Sequence, residues 1–106
     1  MDIGFAIDEL YSAGWWPREA DACVRCSDGR WYPSEAAAST AFAEGGWDVR
    51  FESSRASGSI RTTWRGPGGV RGAAIAGDPV SARLMAFTAL YRFQAARSRQ
   101  TVDPRR

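Results

Sequence analysis

The sequence predicts an α+β domain in which a three-stranded antiparallel sheet packs with two helices in the order α-β-β-β-α. A short amino-terminal helix and a hairpin-like ribbon precede that core. Three observations point there. An Ala-rich stretch bounded by helix-start and helix-stop residues runs from Glu35 to Glu44; segments 47–52 and 60–65 alternate apolar with polar residues; and a long segment striped with apolar residues follows Asp78-Pro79. With 106 residues the chain supports one core, since a chain of about this size buries roughly two-thirds of its unfolded surface. Residues 1–99 are therefore read as a single domain, with 1–33 as an amino-terminal cover, 34–99 as the core and 100–106 as a flexible polar tail.

The first element is a helix over Met1 to Gly14, with Phe5, Ile7, Leu10 and Tyr11 apolar, Asp8 and Glu9 polar, and Gly14 as the stop before Trp15-Trp16-Pro17. Ser27-Asp28-Gly29-Arg30 separates short apolar runs at Cys23-Val24 and Trp31-Tyr32, and Asp-Gly favours a hairpin because Gly accepts positive φ. Ser34 caps the Glu35–Glu44 helix, Glu35 complements its positive end, and Gly45-Gly46 ends it. Its buried side is expected to be Ala38, Ala41 and Phe42.

Trp47, Val49 and Phe51 alternate with Asp48, Arg50 and Glu52, the period-two pattern of a half-buried strand. After a turn over Ser53 to Gly58, Ile60, Thr62 and Trp64 alternate with Arg61, Thr63 and Arg65. Gly66-Pro67-Gly68-Gly69 makes a tight connection into a third strand, Val70 to Ala76. Asp78 caps the last helix and Pro79 suits its first position. Val80, Leu84, Phe87 and Tyr91 form one stripe to about Arg99, with Ala86, Leu90 and Phe93 beside it. So wide an apolar arc is buried on two sides or shared in a homodimer.

Charge is divided unevenly. Residues 1–48 carry three Arg against nine carboxylates, a net of −6, whereas residues 49–106 carry eleven Arg against three, a net of +8. The split points to a polyanionic or acidic partner for the second half, or to pairing between the halves. No apolar run reaches the roughly 18 residues of a membrane span, and the start lacks the pattern of a secretion signal, so a cytoplasmic protein without membrane contact is expected.

His is absent, which removes the usual acid–base group near neutral pH. The carboxylates Asp8, Glu9, Glu19 and Asp21 have no spacing that demands pairing, so no catalytic residue is assigned and a non-enzymatic protein is expected. Cys23-Val-Arg-Cys26 has C-x-x-C spacing, but a closed zinc site needs four ligands and no second pair is present. Ordinary thiols, or a metal shared between two chains, remain as readings; no metal or cofactor is assigned. Gly66 to Gly72 lacks the third Gly of a dinucleotide loop and the Lys-Ser/Thr of a P-loop, leaving a hairpin turn.

Strand alternation sends Arg50, Arg61, Arg65 and Arg71 to one face of the sheet. Guanidinium forks fit phosphate and carboxylate geometry, so this face is either a binding surface or a solvated sheet face with Glu52 as local partner. Trp15, Trp16 and Trp31, with Tyr32, either cover the core or anchor an interface.

From residue 34 onward the element order resembles the double-stranded-RNA-binding domain, which places basic residues at the start of its last helix. Here Asp78-Pro79-Val80-Ser81-Ala82-Arg83 offers a single Arg at that place. Over residues 34–97 the chain also resembles the small phage ABA-sandwich or NinX-like domains. The shared features are the Ala-rich helix Glu35–Glu44, Gly46-Trp47 leading into the first strand, Trp64 in the second, and Pro79-Val-Ser-Ala82 through Ala86 into the last helix. The front segment, Asp8 to Trp15 and Asp28 to Pro33, resembles short uncharacterised proteins of GC-rich bacteria. The phage families carry no established activity; the charge split and the absence of catalytic groups point to a phage- or mobile-element-type accessory protein that engages a protein partner, with a host defence complex such as CRISPR among the expected targets. Nucleic-acid binding through the Arg face is the alternative expectation.

Overall fold

The computed structural model describes residues 3–18 and 22–98, with the backbone of the last helix continuing to Thr101. In chain order the elements are α1 (Ile3–Ser12), β1 (Cys23–Arg25), β2 (Trp31–Pro33), α2 (Glu35–Gly45), β3 (Asp48–Ser53), β4 (Ile60–Arg65), β5 (Arg71–Ala76) and α3 (Pro79–Thr101). The fold is α+β, with three helices and two antiparallel sheets: the ribbon β1-β2 and the sheet β3-β4-β5.

Local chemistry sets the boundaries. Ser34 Oγ accepts the Ala37 N–H at 3.1 Å and opens α2. Gly46, at φ 73°, takes the left-handed conformation that closes it, and the Trp47 N–H donates back to the Phe42 carbonyl at 2.8 Å. At the start of α3, Asp78 Oδ1 accepts the Ser81 N–H at 2.8 Å while Oδ2 accepts the buried Ser81 hydroxyl at 2.7 Å. The β4–β5 connection holds a short 3₁₀ turn, Pro67–Gly69, closed by the Gly66 N–H on the Val70 carbonyl at 2.8 Å. It is a hairpin turn, as the sequence predicts.

Two clusters make up the core. Ala6, Ile7 and Leu10 of α1 pack with Tyr32 and Leu84; Ala38 and Phe42 of α2 pack with Trp47, Ala86 and Leu90; Phe87 borders both. Helix α3 lies on β4 and β5, α2 lies against α3 and β3, and α1 packs on α3. Indole rings fill the closest approaches. A Cβ at Gly72 would lie 2.6 Å from the Trp64 ring, and one at Gly66 would lie 2.6 Å from Trp47 Nε1. These glycines are therefore fixed by packing.

The structure corrects several expectations. The first helix ends at Ser12, with Ala13-Gly14 turned out at a Gly14 φ of 98°, while its expected start at Met1-Asp2 lies outside the described residues. It also brings three wholly buried side chains to the core and is more than an added cover. The third strand begins at Arg71. Helix α3 runs through Thr101, past the predicted end at Arg99 and into the segment expected as tail, because nothing before Pro104 breaks it. The rest of that tail, 102–106, lies outside the described residues. Phe51 has the inward parity predicted for it yet is 48% exposed, since β3 is an edge strand that α2 covers only in part. The wide arc of α3, which raises a homodimer in the sequence, is occupied within the chain by α1, α2 and the sheet. Among the described residues, no helix is long and apolar enough to cross a membrane.

The double role of Asp78 makes it the most exposed weakness of this scaffold. Replacement Asp78→Ala is expected to lower unfolding free energy by about 1–2 kcal/mol in urea titrations, whereas Asp78→Asn, which keeps one acceptor for the Ser81 N–H, should lose less.

Candidate functional site

Helices cover one face of β3-β4-β5 and leave the other open. Register fixes what the open face carries. Asp48, Arg65 and Arg71 stand in one row across the three strands; Arg50, Thr63 and Ala73 form the next; Glu52, Arg61 and Ile75 form the third. All four predicted arginines are exposed and share this surface. The inward positions of the same strands carry Thr62 and Ala76, both buried, and Trp64, which packs against the second core cluster.

Few counter-charges meet these guanidiniums. Asp48 Oδ2 lies 3.3 Å from Arg50 Nη2, and among the described residues no carboxylate pairs with Arg61, Arg65 or Arg71. Glu52 stands directly across from Arg61 in register without forming an ion pair. A shallow concavity of about 480 Å³ lies between β4 and β5, lined by Arg61, Thr63, Arg65, Arg71 and Ala73. Ile75, 61% exposed, extends the face. The surface thus offers arginines rooted at fixed spacing on an open sheet, an arrangement suited to oxyanions.

The predicted aromatic residues do not join this face. Trp15 packs edge-on to Tyr11 at 5.7 Å and is half-buried, while Trp16, 6.1 Å from the same ring, is 68% exposed. Both line a groove of about 340 Å³ with Cys23, Pro33, Phe87 and Tyr91. Trp31 is half-buried beneath the Arg25 guanidinium, 5.9 Å from the ring. Its amide donates to Tyr11 Oη, which in turn donates to the Trp31 carbonyl, both at 3.1 Å. Tyr32 is core. Core packing therefore describes Trp15 and Tyr32, Trp31 is half-buried outside both core clusters, and Trp16 is the exposed ring.

Sequence patterning missed a second groove of about 540 Å³ between α2 and β3, with Phe42, Val49, Phe51 and Arg83 in its walls. Outward charges do not reveal that β3 lies at an edge, because the central strand β4 carries Arg61 and Arg65 at the same period, so the exposure of Phe51 has no local signal.

The amino-terminal acidic residues are largely tied into the structure. Arg30 bridges Asp8 and Asp28 and lies over the Tyr11 ring, and Glu9 pairs with Arg92 at 3.4 Å. Glu19 and Asp21 lie outside the described residues. Cys23 and Cys26 are not joined by a disulfide, and among the described residues no three His, Cys, Asp or Glu side chains come together.

Hydrogen bonds from the Arg30 side chain and amide hold the Asp28 carboxyl below its ordinary pKa. A depressed carboxylate stabilises the folded state above its unfolded pKa, and that contribution is lost as pH falls through the folded value. Acidification below the ordinary carboxylate range should therefore lower the protection factor, the exchange rate corrected for its intrinsic pH dependence, of the Cys26 N–H, which bonds the Arg30 carbonyl across the turn; Asp28→Asn should show the lower protection already at neutral pH.

No family matches the chain, and comparison with curated proteins and with solved structures likewise returns no match, so the functional reading rests on the geometry of the chain itself.

Proposed function

We propose that the protein is a non-enzymatic binding module whose open sheet face holds the phosphate backbone of a nucleic acid. One observation carries the reading: Arg50, Arg61, Arg65 and Arg71 share an uncovered face, and three of them have no carboxylate partner among the described residues. The outward positions of the strands carry no aromatic ring. Base stacking, the usual basis of single-strand binding on a sheet, is therefore not offered by this face, and backbone contact is. Such binding is insensitive to sequence and steeply dependent on salt.

Fluorescence anisotropy with labelled double-stranded RNA, double-stranded DNA and single-stranded DNA across a salt series tests this. Duplex binding is expected, with log affinity falling linearly against log salt at a slope of about −0.9 per neutralised phosphate. The Arg61→Glu/Arg65→Glu double variant should abolish it. Unchanged binding by that variant, or none by the parent protein, would rule the reading out.

A second reading, engagement of a protein partner by an accessory protein of the phage type, is favoured by Trp16. A large ring 68% exposed at the rim of a groove is a typical hot-spot residue. Under it, Trp16→Ala should remove a stoichiometric partner from native-host pull-downs while Arg61→Glu/Arg65→Glu retains it. The opposite pattern would return the partner to the sheet face.

A further inference from the structure

We infer that Arg65 and Arg71 form a seat for a single phosphoryl group, the anchor point of the face proposed above. The source of that phosphate rests on the nucleic-acid reading; the seat itself rests on geometry of its own.

Arg65 and Arg71 are directly opposite each other in the β4–β5 ladder. Directly paired residues of an antiparallel sheet hold their Cβ atoms about 4.5–5.5 Å apart, and like charges so placed destabilise the pair. The usual remedy, an adjacent carboxylate, is engaged elsewhere. Asp48 flanks Arg65 on its other side, but its Oδ2 accepts from Arg50 Nε at 3.3 Å and lies equally close to Arg50 Nη2. The arginines also have little freedom to slip apart. They occupy the last rung before the Gly66–Val70 turn, whose closing hydrogen bond of 2.8 Å fixes the register, and the Trp64 ring against Gly72 holds the next rung.

Two arginines whose Cβ atoms the register sets side by side, with no carboxylate paired to either among the described residues, can turn both guanidinium forks onto one anion. The two oxygens of a carboxylate lie in one plane and match one fork bidentately, whereas the tetrahedral oxygens of a phosphate, two on a backbone diester and three on a terminal phosphoryl group, diverge and can be shared by two forks. Both arginines line the concavity of about 480 Å³, and Thr63 and Arg61 farther along it supply a hydroxyl and a third cation for a neighbouring phosphate. Cross-strand repulsion, a cost to the empty protein, becomes attraction when the seat is filled. The phosphoryl group can belong to a nucleic-acid backbone or to a small phosphorylated molecule.

The experiment titrates the whole chain with inorganic phosphate, ionic strength being held constant with chloride. The readouts are the Arg Nε–Hε NMR resonances and the thermal midpoint. The Arg65 and Arg71 resonances should move together on one saturable isotherm, Arg55 in the β3–β4 turn should not, and the midpoint should rise with phosphate. Arg71→Gln should lose that rise while melting no lower than the parent protein in phosphate-free, low-salt buffer, because it removes the like-charge pair. Arg55→Gln should keep the rise. A phosphate response retained in Arg71→Gln, or Arg65 and Arg71 resonances that track Arg55 without saturating, would overturn the seat.

Duplex binding then separates the two claims. If the parent protein binds duplex, Arg71→Gln should reduce the salt slope by about 1. An unchanged slope would overturn the seat and leave the nucleic-acid reading standing. Saturable phosphate binding with no affinity for any nucleic acid would do the reverse, supporting the seat and assigning it to a small phosphorylated ligand.

Discussion

Small side chains on both sides of the seam between α3 and the sheet set how closely the helix can lie on β4 and β5, and the rest of the structure follows from that distance. Gly72, Ala74 and Ala76 alternate along the inner side of β5, and Ala82 and Ala86 of α3 are wholly buried. Only the absence of a Cβ at Gly72 lets the Trp64 ring lie flat where it does. A helix seated this low leaves its remaining faces free for α1 and α2, so Leu84 is enclosed by one neighbour and Leu90 by the other. Phe87, between them, joins two small clusters into one packed unit. In a chain of this size, neither cluster would bury enough apolar surface alone.

Because all three helices gather on one side, the sheet is covered on one face only. An antiparallel sheet tolerates this where its outward positions are mostly polar, and here those positions hold four arginines, two carboxylates and a threonine beside Ala73 and Ile75. Strands space such groups more rigidly than loops would, since register and pleat fix where each Cβ projects. The face is thus a preorganised array of cations held by a core that its own side chains do not help to build. Substitutions there are expected to have little consequence for packing.

The amino-terminal third is stabilised differently. The ribbon β1-β2 has three residues per strand, too few to stand alone. It is held by Tyr11, whose hydroxyl both donates to and accepts from the Trp31 backbone, and by Arg30, which ties the turn to α1. These polar links account for much of the acidic charge that the sequence places in the first half. Among the described residues, Glu9 with Arg92 and Asp48 with Arg50 are the ion pairs that join the two halves of the charge split. Among the described residues, three arginines of the positive second half, Arg61, Arg65 and Arg71, lie without carboxylate partners on the open face.

The sequence by itself determined the elements whose signals are local. Ser34 and Gly46 bound α2, Asp78-Pro79 starts α3, Asp28-Gly29 turns the ribbon, and period-two alternation places Arg50, Arg61, Arg65 and Arg71 on one side of the sheet. Each of these depends on the backbone preferences or hydrogen bonds of a few neighbouring residues, and parity along a strand needs no knowledge of what the strand packs against. Tertiary structure decided the rest. That Arg65 faces Arg71 depends on the length of the intervening turn; that Phe51 is exposed depends on β3 lying at an edge beyond the reach of α2; that Trp16 is open while Trp15 and Trp31 are half-buried depends on where α1 sets its Tyr11. These are relations between segments distant in sequence, fixed by the space left after α3 settles on the sheet, and no local pattern encodes that space.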